Sequence, residues 1–232
     1  MDKINYIIEA FGSAGIEISS EKAKMLTDLS EFMVEYNKNV NLTAITDFEG
    51  IVEKHFIDSV LPFASLDIAE NSSFIDVGTG AGYPSLPLLI WRGDLKGTLC
   101  DSSEKRCVYL KKACEMLGIS PEIIHIRAEQ LGRTRREAYD IATARAVSAM
   151  PILTEYCLPF VKVGGLFAAL KSVNEDAKGS ENAIKALGGQ LEEIRDYTLP
   201  NGDKRRLFIV KKISQTPTKY PRNSAGIMKK PL

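Results

Sequence analysis

The fold of this chain is decided by residues 74–91, which read FIDVGTGAGYPSLPLLIW. The first residues of this stretch are typical of a buried strand, and the apolar run after Pro84 is typical of a helix. Between them, Gly78, Gly80 and Gly82 permit backbone conformations that other residues rarely adopt, and they let a ligand approach the main chain closely. The stretch therefore predicts a strand, a glycine-rich turn and a helix N-terminus, which is the order that a nucleotide-like cofactor needs.

Downstream of this stretch, short β-branched or apolar runs alternate with segments of helix length. Strands are predicted at 74–77, 97–101, 123–126, 140–143 and 166–170, and helices at 84–91, 104–117 and 148–162. After a further helix near 174–187, the segments 191–199 and 206–212 flank a Pro-Asn-Gly turn and predict a closing antiparallel hairpin. The expected fold is therefore α/β and Rossmann-like, with a seven-stranded, mostly parallel sheet whose last strand is antiparallel.

The first seventy residues have a different pattern. From Ser20 to Asn37, apolar residues recur at intervals of three and four, which predicts an amphipathic helix capped by Ser19 or Ser20. A second helix is predicted around 50–63, and this part of the chain is acidic, with 13 Asp/Glu against 5 Lys/Arg. We therefore divide the chain into an N-terminal helical extension, residues 1–70, and a main domain, residues 71–232.

Composition excludes several classes of protein. The 232 residues are 44% hydrophobic and 26% charged, which is ordinary for a globular chain and excludes disorder, collagen and a coiled coil. No apolar run approaches the roughly 18 to 20 residues of a membrane span, and the start of the chain lacks the features of a signal peptide, so we expect a cytoplasmic protein. The four cysteines and two histidines lack the spacing of metal ligands, so we expect free thiols and no metal.

Two carboxylates indicate which cofactor the glycine-rich turn holds. Asp76 would repel a pyrophosphate but suits S-adenosylmethionine, which carries a sulfonium and an ammonium. Asp101 lies about 19 positions after Gly82, at the end of the second predicted strand, where it can accept hydrogen bonds from ribose hydroxyls. A dinucleotide would need glycine or alanine where Tyr83 stands. The spacing D-x-G-x-G-x-G resembles motif I of the class I S-adenosylmethionine-dependent methyltransferases.

Two further positions fit the same pocket. Ala128 and Glu129 follow the third strand, where main chain and a polar side chain could read the adenine amine; the alternative is an ordinary helix start. Arg145 ends the fourth strand, and strand ends of an open α/β sheet face the ligand crevice, although a surface arginine is the alternative. The fourth strand lacks an N/D-P-P-Y/F motif and the chain lacks a Pro-Cys pair, while Cys157 has the pattern of helix core, which favours an acceptor with a free lone pair such as a purine N7.

The end of the chain is basic. Residues 203–232 hold 9 Lys/Arg against 1 Asp/Glu, although the whole chain is neutral. These cations could contact the phosphates of a nucleic acid, or they could belong to a solvated strand end and a frayed tail. Charge alone leaves both interpretations open.

Separated segments of the sequence resemble the bacterial 16S ribosomal-RNA guanine-N7 methyltransferase family, also called glucose-inhibited division protein B. They are NVNLT at 39–43, HFIDS at 55–59, residues 76–87, DSSEKR at 101–106, RAE at 127–129, ARA at 144–146, TPTKYPR at 216–222 and KPL at 230–232. The resemblance spans nearly the whole chain. It implies methylation of N7 of one guanosine in the 530 loop of 16S rRNA, within the small ribosomal subunit or an assembly intermediate, by a protein that we expect to be a monomer.

The resemblance also implies roles for individual residues. For the cofactor, S-adenosyl-L-methionine, it implies contacts with Gly78, Tyr83, Ala128, Glu129 and Arg145. The residues of the glycine-rich turn and its two carboxylates, argued above, complete the expected set: Asp76, Gly80, Gly82 and Asp101. The expected catalytic residues are Arg145, His55 and Asn41, and the expected RNA contacts are Lys219, Arg222, Lys229 and Lys230. One departure is Ser85, where the family often has glycine, and this puts the local path of the loop in doubt.

Three other functions stay open at this point. A class I methyltransferase acting on a small molecule or a protein would show no salt-dependent RNA binding. A non-catalytic RNA-binding or ribosome-assembly protein could keep the fold, but the intact glycine turn with its two carboxylates argues against it. An oxidoreductase ranks last, because the third dinucleotide glycine is missing.

Overall fold

The structure is a computed structural model that describes residues 2–145, 147–175 and 179–232. The sheet has seven strands: β1 (Ser73–Val77), β2 (Lys96–Asp101), β3 (Glu122–His125), β4 (Tyr139–Arg145), β5 (Val161–Ser172), β6 (Gly189–Thr198) and β7 (Lys204–Lys212). Their spatial order is β3-β2-β1-β4-β5-β7-β6. The first five strands pair in parallel, and β7 lies antiparallel between β5 and β6. The predicted fold class is confirmed.

Helices cover this sheet. They are α1 (Lys3–Ser13), α2 (Ser20–Asn37), α3 (Phe48–Ile51), a π-helical turn (Val52–Ile57), α4 (Asp58–Ala64), α5 (Ser85–Trp91), α6 (Glu104–Leu117), α7 (Ala128–Thr134), α8 (Met150–Cys157), a 3₁₀ turn (Leu158–Phe160), α9 (Ser180–Ala186) and α10 (Ser224–Lys229). The predicted α2 is confirmed, and the Ser19 side chain caps it by accepting a hydrogen bond from the Lys22 amide. The sequence patterns predict neither α1 nor α10, and they do not predict α7 over its full length.

Three of the predicted helices have other bounds in the structure. The helix expected at 148–162 is shorter, since α8 ends at Cys157 and β5 already begins at Val161. The helix expected near 174–187 contains α9, and its residues 176–178 lie outside the described part of the chain. The expected helix at 50–63 is one continuous helical segment from Phe48 to Ala64 with a π-helical turn inside it.

The core lies on both faces of the sheet. On one face, the N-terminal helices share a single apolar cluster with the sheet, and Phe11, Leu29 and Phe56 belong to it together with Phe74 and Leu207. The other face forms a second cluster, in which residues of α7, α8 and α9 cover the strands. The first seventy residues therefore share the core on one face of the sheet with α5 and α6.

The structure also bears on the cysteines, on membrane spans and on metal sites. Cys100, Cys107, Cys114 and Cys157 are buried free thiols. In the described ranges, no helix is long and apolar enough to cross a membrane. The same ranges hold no cluster of three His, Cys, Asp or Glu side chains suited to a metal ion.

Candidate functional site

Two clefts open at the carboxyl edge of the sheet, where the strand order reverses between β1 and β4. The first has a volume of about 300 Å³ and lies at the ends of β1, β2 and β3. The second has a volume of about 540 Å³ and lies between the ends of β4 and β5 and the π-helical turn. Arg145 and Val147 line both clefts. The two volumes therefore meet at the end of β4.

The glycine-rich turn follows β1, and among the described residues that line the two clefts it contributes Gly78 but neither Gly80 nor Gly82. Gly78, Gly80 and Gly82 all have left-handed backbones, with φ of +70°, +60° and +87°. A Cβ atom on Gly78 would lie 2.9 Å from the Val147 side chain, and one on Gly82 would lie 2.5 Å from Leu86. The left-handed backbone favours glycine at all three positions, and close packing adds to this at Gly78 and Gly82.

The first cleft collects several of the predicted cofactor residues. Gly78, Asp101, Ala128 and Glu129 line it, together with Arg145. Their predicted contacts with a cofactor remain predictions. The geometry brings all five to one site, because each follows the end of a neighbouring parallel strand.

Asp101 also organises the turn itself. Its Oδ2 accepts a hydrogen bond from the Gly80 amide at 2.9 Å, and its Oδ1 accepts one from the Ser103 amide at 2.8 Å. The carboxylate is buried, at 3% exposure, and Arg106 lies 3.6 Å away. Each carboxylate oxygen has a second lone pair, so Asp101 can still accept hydrogen bonds from a ligand in the cleft.

Asp76 lies deeper than the sequence indicated. The linings of the two clefts, as far as the structure describes the chain, include neither Asp76 nor Tyr83. Asp76 is fully buried, its Oδ2 accepts a hydrogen bond from the Ser85 hydroxyl, and its Oδ1 has no hydrogen-bond partner. Burial raises the pKa of Asp76 to about 7. Ser85, the departure from the family pattern, thus supplies the bond that holds this carboxyl.

Arg145 is held from several sides at the meeting point of the clefts. Its Nη1 donates to the Lys54 carbonyl at 3.0 Å and lies 3.2 Å from Asp58 Oδ2. Its Nη2 lies 3.2 Å from His55 Nδ1, and its Cζ lies 5.1 Å from the centre of the Tyr83 ring. Only 15% of the side chain is exposed. Arg145 is therefore no ordinary surface arginine.

His55 occupies the π-helical turn that faces Arg145. Its ring stacks on Tyr83 with centroids 4.4 Å apart and planes 19° from parallel, and its Nε2 lies 2.9 Å from the Thr43 hydroxyl oxygen. Burial, with a smaller effect from Arg145, lowers the pKa of His55 to about 3. Tyr83 is buried, and its pKa is raised by burial. Two predicted residues, His55 and Tyr83, thus meet each other.

Asn41 does not join this group. It is exposed, and it belongs to neither cleft lining within the described ranges. The residue of this loop that reaches His55 is Thr43, and Asn37 fixes the loop because its Oδ1 accepts from the amides of Leu42 and Thr43 at 2.6 and 3.1 Å. The catalytic role of Asn41 stays a prediction without support from this geometry.

The second cleft includes residues that the sequence did not single out. Tyr197 donates its hydroxyl proton to Asp58 Oδ1 at 3.0 Å, and Arg205 Nε lies 3.6 Å from the same oxygen. Both residues come from the hairpin β6–β7 and line the cleft. The motif HFIDS contains Asp58 and was the one sequence signal that pointed toward this network.

The basic C-terminal segment is folded onto the domain. Tyr220 and Ile227 are buried, and Arg222 Nε donates to Glu155 Oε1 at 2.9 Å, where Glu155 is 0% exposed. The interpretation of this segment as a frayed tail is therefore wrong. Lys219, Lys229 and Lys230 are exposed and stay candidates for RNA contacts. Arg222 has a structural partner, and its RNA contact stays a prediction.

Known proteins match this chain in sequence over most of its length. A family model described as rRNA small subunit methyltransferase G matches residues 22–207. The chain is similar to ribosomal RNA small subunit methyltransferase G of Alkaliphilus metalliredigens, at 44% identity over 94% of both chains. It is similar to the protein of the same name from Clostridium perfringens, at 42% identity over 100% of both chains.

Solved structures share the fold at low identity. The structure of TrmN from Thermus thermophilus matches with a TM-score of 0.52 and 20% identity, over 70% of this chain and 53% of that chain. Precorrin-6y C5,15-methyltransferase from Geobacter metallireducens matches with a TM-score of 0.53 and 8% identity, over 66% of this chain and 87% of that chain. At such identities the likeness concerns the fold alone.

Proposed function

The chain belongs to the rRNA small subunit methyltransferase G family, and from this premise we propose that it transfers a methyl group from S-adenosylmethionine to N7 of a single guanosine in the 530 loop of 16S ribosomal RNA. The substrate would be the small ribosomal subunit or an assembly intermediate, modified in the cytoplasm by a monomeric enzyme. The observation that supports this proposal is that the two clefts meet at Arg145. A transfer reaction needs a donor site and an acceptor site with a common boundary.

The first cleft fits S-adenosylmethionine. Its volume of about 300 Å³ stands at the lower end of the range usual for small-molecule sites. Gly78 lines the cleft and has no side chain, so its main chain forms part of the wall. Two buried carboxylates, Asp101 and Glu129, line the cleft and match a ligand with ribose hydroxyls, an amine and a net positive charge.

Each lining residue would have a separate task. The main chain at Gly78 and Ala128 would lie against the cofactor, Asp101 would accept hydrogen bonds from the ribose, and Glu129 would accept from the adenine amine. When bound, the cofactor supplies an electrophilic methyl group on a sulfonium. Arg145 would border the acceptor at the junction of the clefts.

The acceptor chemistry suits the side chains at the junction. Guanine N7 has a free lone pair, so the new bond to carbon forms without removal of a proton, and the enzyme must mainly hold both reactants in line. Arg145 is a permanent cation, and His55 is neutral and bonded on both ring nitrogens. Neither residue is placed as a free base.

The second cleft has a positive balance suited to a nucleotide. The side chains that line it include four cations and two carboxylates. The cations are Lys54, Arg145, Lys171 and Arg205, and the carboxylates are Asp58 and Glu175. A phosphate-bearing segment of RNA would be attracted to such a surface. The exposed Lys219, Lys229 and Lys230 would add contacts to phosphates farther along the RNA.

The test is transfer of tritiated methyl from S-adenosylmethionine to small ribosomal subunits from cells that lack this gene, followed by mapping of the labelled base. We expect label at N7 of one guanosine in the 530 loop. Cofactor binding is measured in parallel by calorimetry, and Asp101→Ala should weaken it. Retained cofactor binding with no label on RNA would contradict the RNA substrate and return the question to a small molecule or a protein as acceptor.

A further inference from the structure

The hydrogen bonds around His55 define its protonation state. A guanidinium only donates, so the 3.2 Å contact from Arg145 Nη2 requires His55 Nδ1 to accept. The proton of the neutral ring must then be on Nε2, which donates to the Thr43 hydroxyl oxygen at 2.9 Å. The Lys54 carbonyl lies 3.1 Å from Nδ1 and also accepts from Arg145 Nη1 at 3.0 Å. A proton on Nδ1 would face the N–H groups of Arg145.

We infer that His55 is a positioning residue, a neutral hydrogen-bond acceptor that holds the Arg145 guanidinium at the junction of the two clefts and carries no proton in the reaction. This inference rests on the function proposed above for the same site. It assigns to His55 a role different from that of a catalytic acid or base, which the resemblance alone had left undefined. Asp58 holds Nη1 of Arg145, and His55 holds Nη2, so together they fix the plane of the guanidinium.

The elements packed around His55 favour the neutral ring. Arg145 approaches from β4, Tyr83 covers the ring from the glycine-rich turn, and Thr43 approaches from the loop after α2. Asp58, one turn farther along the same helical segment, directs its oxygens to Arg145, Tyr197 and Arg205. The ring is 8% exposed, and burial together with the Arg145 charge lowers the pKa of His55 to about 3. The imidazole should stay neutral between pH 5 and 8.

The first test reads the ring directly. The chain has two histidines, so ¹⁵N-histidine NMR of the full-length protein gives two imidazole signals, and a His125→Gln variant identifies the one from His55. We expect His55 to show a bare Nδ1 and a protonated Nε2 throughout pH 5–8. A His55 ring that titrates in this range, or that carries its proton on Nδ1, would overturn the inference.

The second test separates an acceptor from a proton carrier. Removal of the acceptor in His55→Ala should lower kcat for methyl transfer by about tenfold to a hundredfold, because the guanidinium is misplaced. His55→Asn offers an amide oxygen near the position of Nδ1 and should recover most of the loss, although asparagine cannot carry a proton. The kcat of the wild-type enzyme should also show no inflection near the ordinary histidine pKa of about 6.5.

The outcomes of the two tests are distinguishable. An Asn variant as slow as the folded Ala variant, or an Ala variant as fast as wild type, would contradict the positioning role. Thermal melts report whether the Ala variant folds, and the NMR measurement needs no variant of His55. If the wild-type chain labels no RNA, the proposed function fails, whereas the NMR titration still decides whether His55 is the neutral acceptor.

Discussion

At the scale of single residues, Arg145 has contacts that a surface arginine lacks. Arg145→Ala should lower methyl transfer by about a hundredfold, since a preorganised cation at the junction of the clefts is lost. The fold should survive, because Asp58 keeps Tyr197 and Arg205 as partners. The loss of charged hydrogen bonds should reduce the free energy of unfolding by about 1–3 kcal/mol. Single-turnover transfer and urea unfolding measure the two effects.

A matched control is available on the surface. Arg135 pairs with Glu122 through side chains that are 43% and 45% exposed. Arg135→Ala should leave turnover unchanged and should alter the free energy of unfolding by no more than about 0.5 kcal/mol. Unchanged turnover in Arg145→Ala would remove Arg145 from the site.

Asp76 should give the protein a measurable pH dependence. Burial raises the pKa of the folded carboxyl from 3.8 to about 7, so between these values the folded chain keeps a proton that the unfolded chain has lost. The resulting stabilisation is fully present below pH 3.8 and is lost as the pH rises through about 7. Asp76→Asn stays neutral and can still accept from Ser85, so its free energy of unfolding should fall less than that of wild type between pH 5 and 8.

Urea unfolding of the wild-type protein and of Asp76→Asn, each at about pH 5 and about pH 8, measures this difference. Contributions of other groups, including His55, are common to both proteins and cancel in the difference. Equal pH dependence of the two proteins would contradict the raised pKa of Asp76.

Local sequence could predict some of the site residues but not others. Asp101 and Ala128 follow strand ends, and strand ends of a parallel sheet converge, so their meeting follows from the strand pattern. Tyr83 meets His55 only because the helical segment at 48–64 packs beside the glycine-rich turn. No spacing in the sequence encodes that contact, since it joins two layers of the fold.

At the scale of elements, the C-terminal segment contains both a cation that is paired inside the fold and cations that are exposed. Arg222→Ala leaves Glu155, which is 0% exposed, without its ion-pair partner and should lower the free energy of unfolding by about 3–5 kcal/mol. Lys219→Ala removes an exposed cation and should leave stability unchanged, but it should reduce the dependence of RNA affinity on salt. Thermal melts and binding to 530-loop RNA at several salt concentrations measure both effects. Equal stability of the two variants would contradict this division.

The predicted helix at 148–162 ends too late and the predicted strand at 166–170 begins too late, and both errors have one physical explanation. Gly164-Gly165 has the composition of a turn, and a strand was expected only from residue 166. In the structure these glycines lie inside β5, where the pairing with β4 shifts register between Tyr139 and Ile141. A Cβ on Gly165 would lie 2.4 Å from the Asp140 carbonyl oxygen, so the strand approaches its neighbour there as at a bulge.

At the scale of the whole molecule, the fold class could be predicted, because strands that alternate with helices imply βαβ units and a parallel sheet. The role of the first seventy residues could not be predicted in the same way. Their amphipathic pattern shows that α2 has an apolar face but not what covers it. The structure shows that this face shares a cluster with the sheet, and that the same part of the chain supplies Lys54, His55 and Asp58 to the second cleft.

This shared core predicts that the chain unfolds as one unit. Leu29 is fully buried in α2, so Leu29→Ala should lower the free energy of unfolding by about 2–5 kcal/mol. Trp91, the single tryptophan, ends α5 in the main domain, and its carbonyl accepts from Lys22 Nζ of α2 at 2.7 Å. Tryptophan fluorescence should therefore report the same lowered midpoint in urea as far-UV circular dichroism. A fluorescence transition that stays at the wild-type midpoint would mean that residues 1–70 fold as a separate domain, and the cleft that they border would then be an interface between two units.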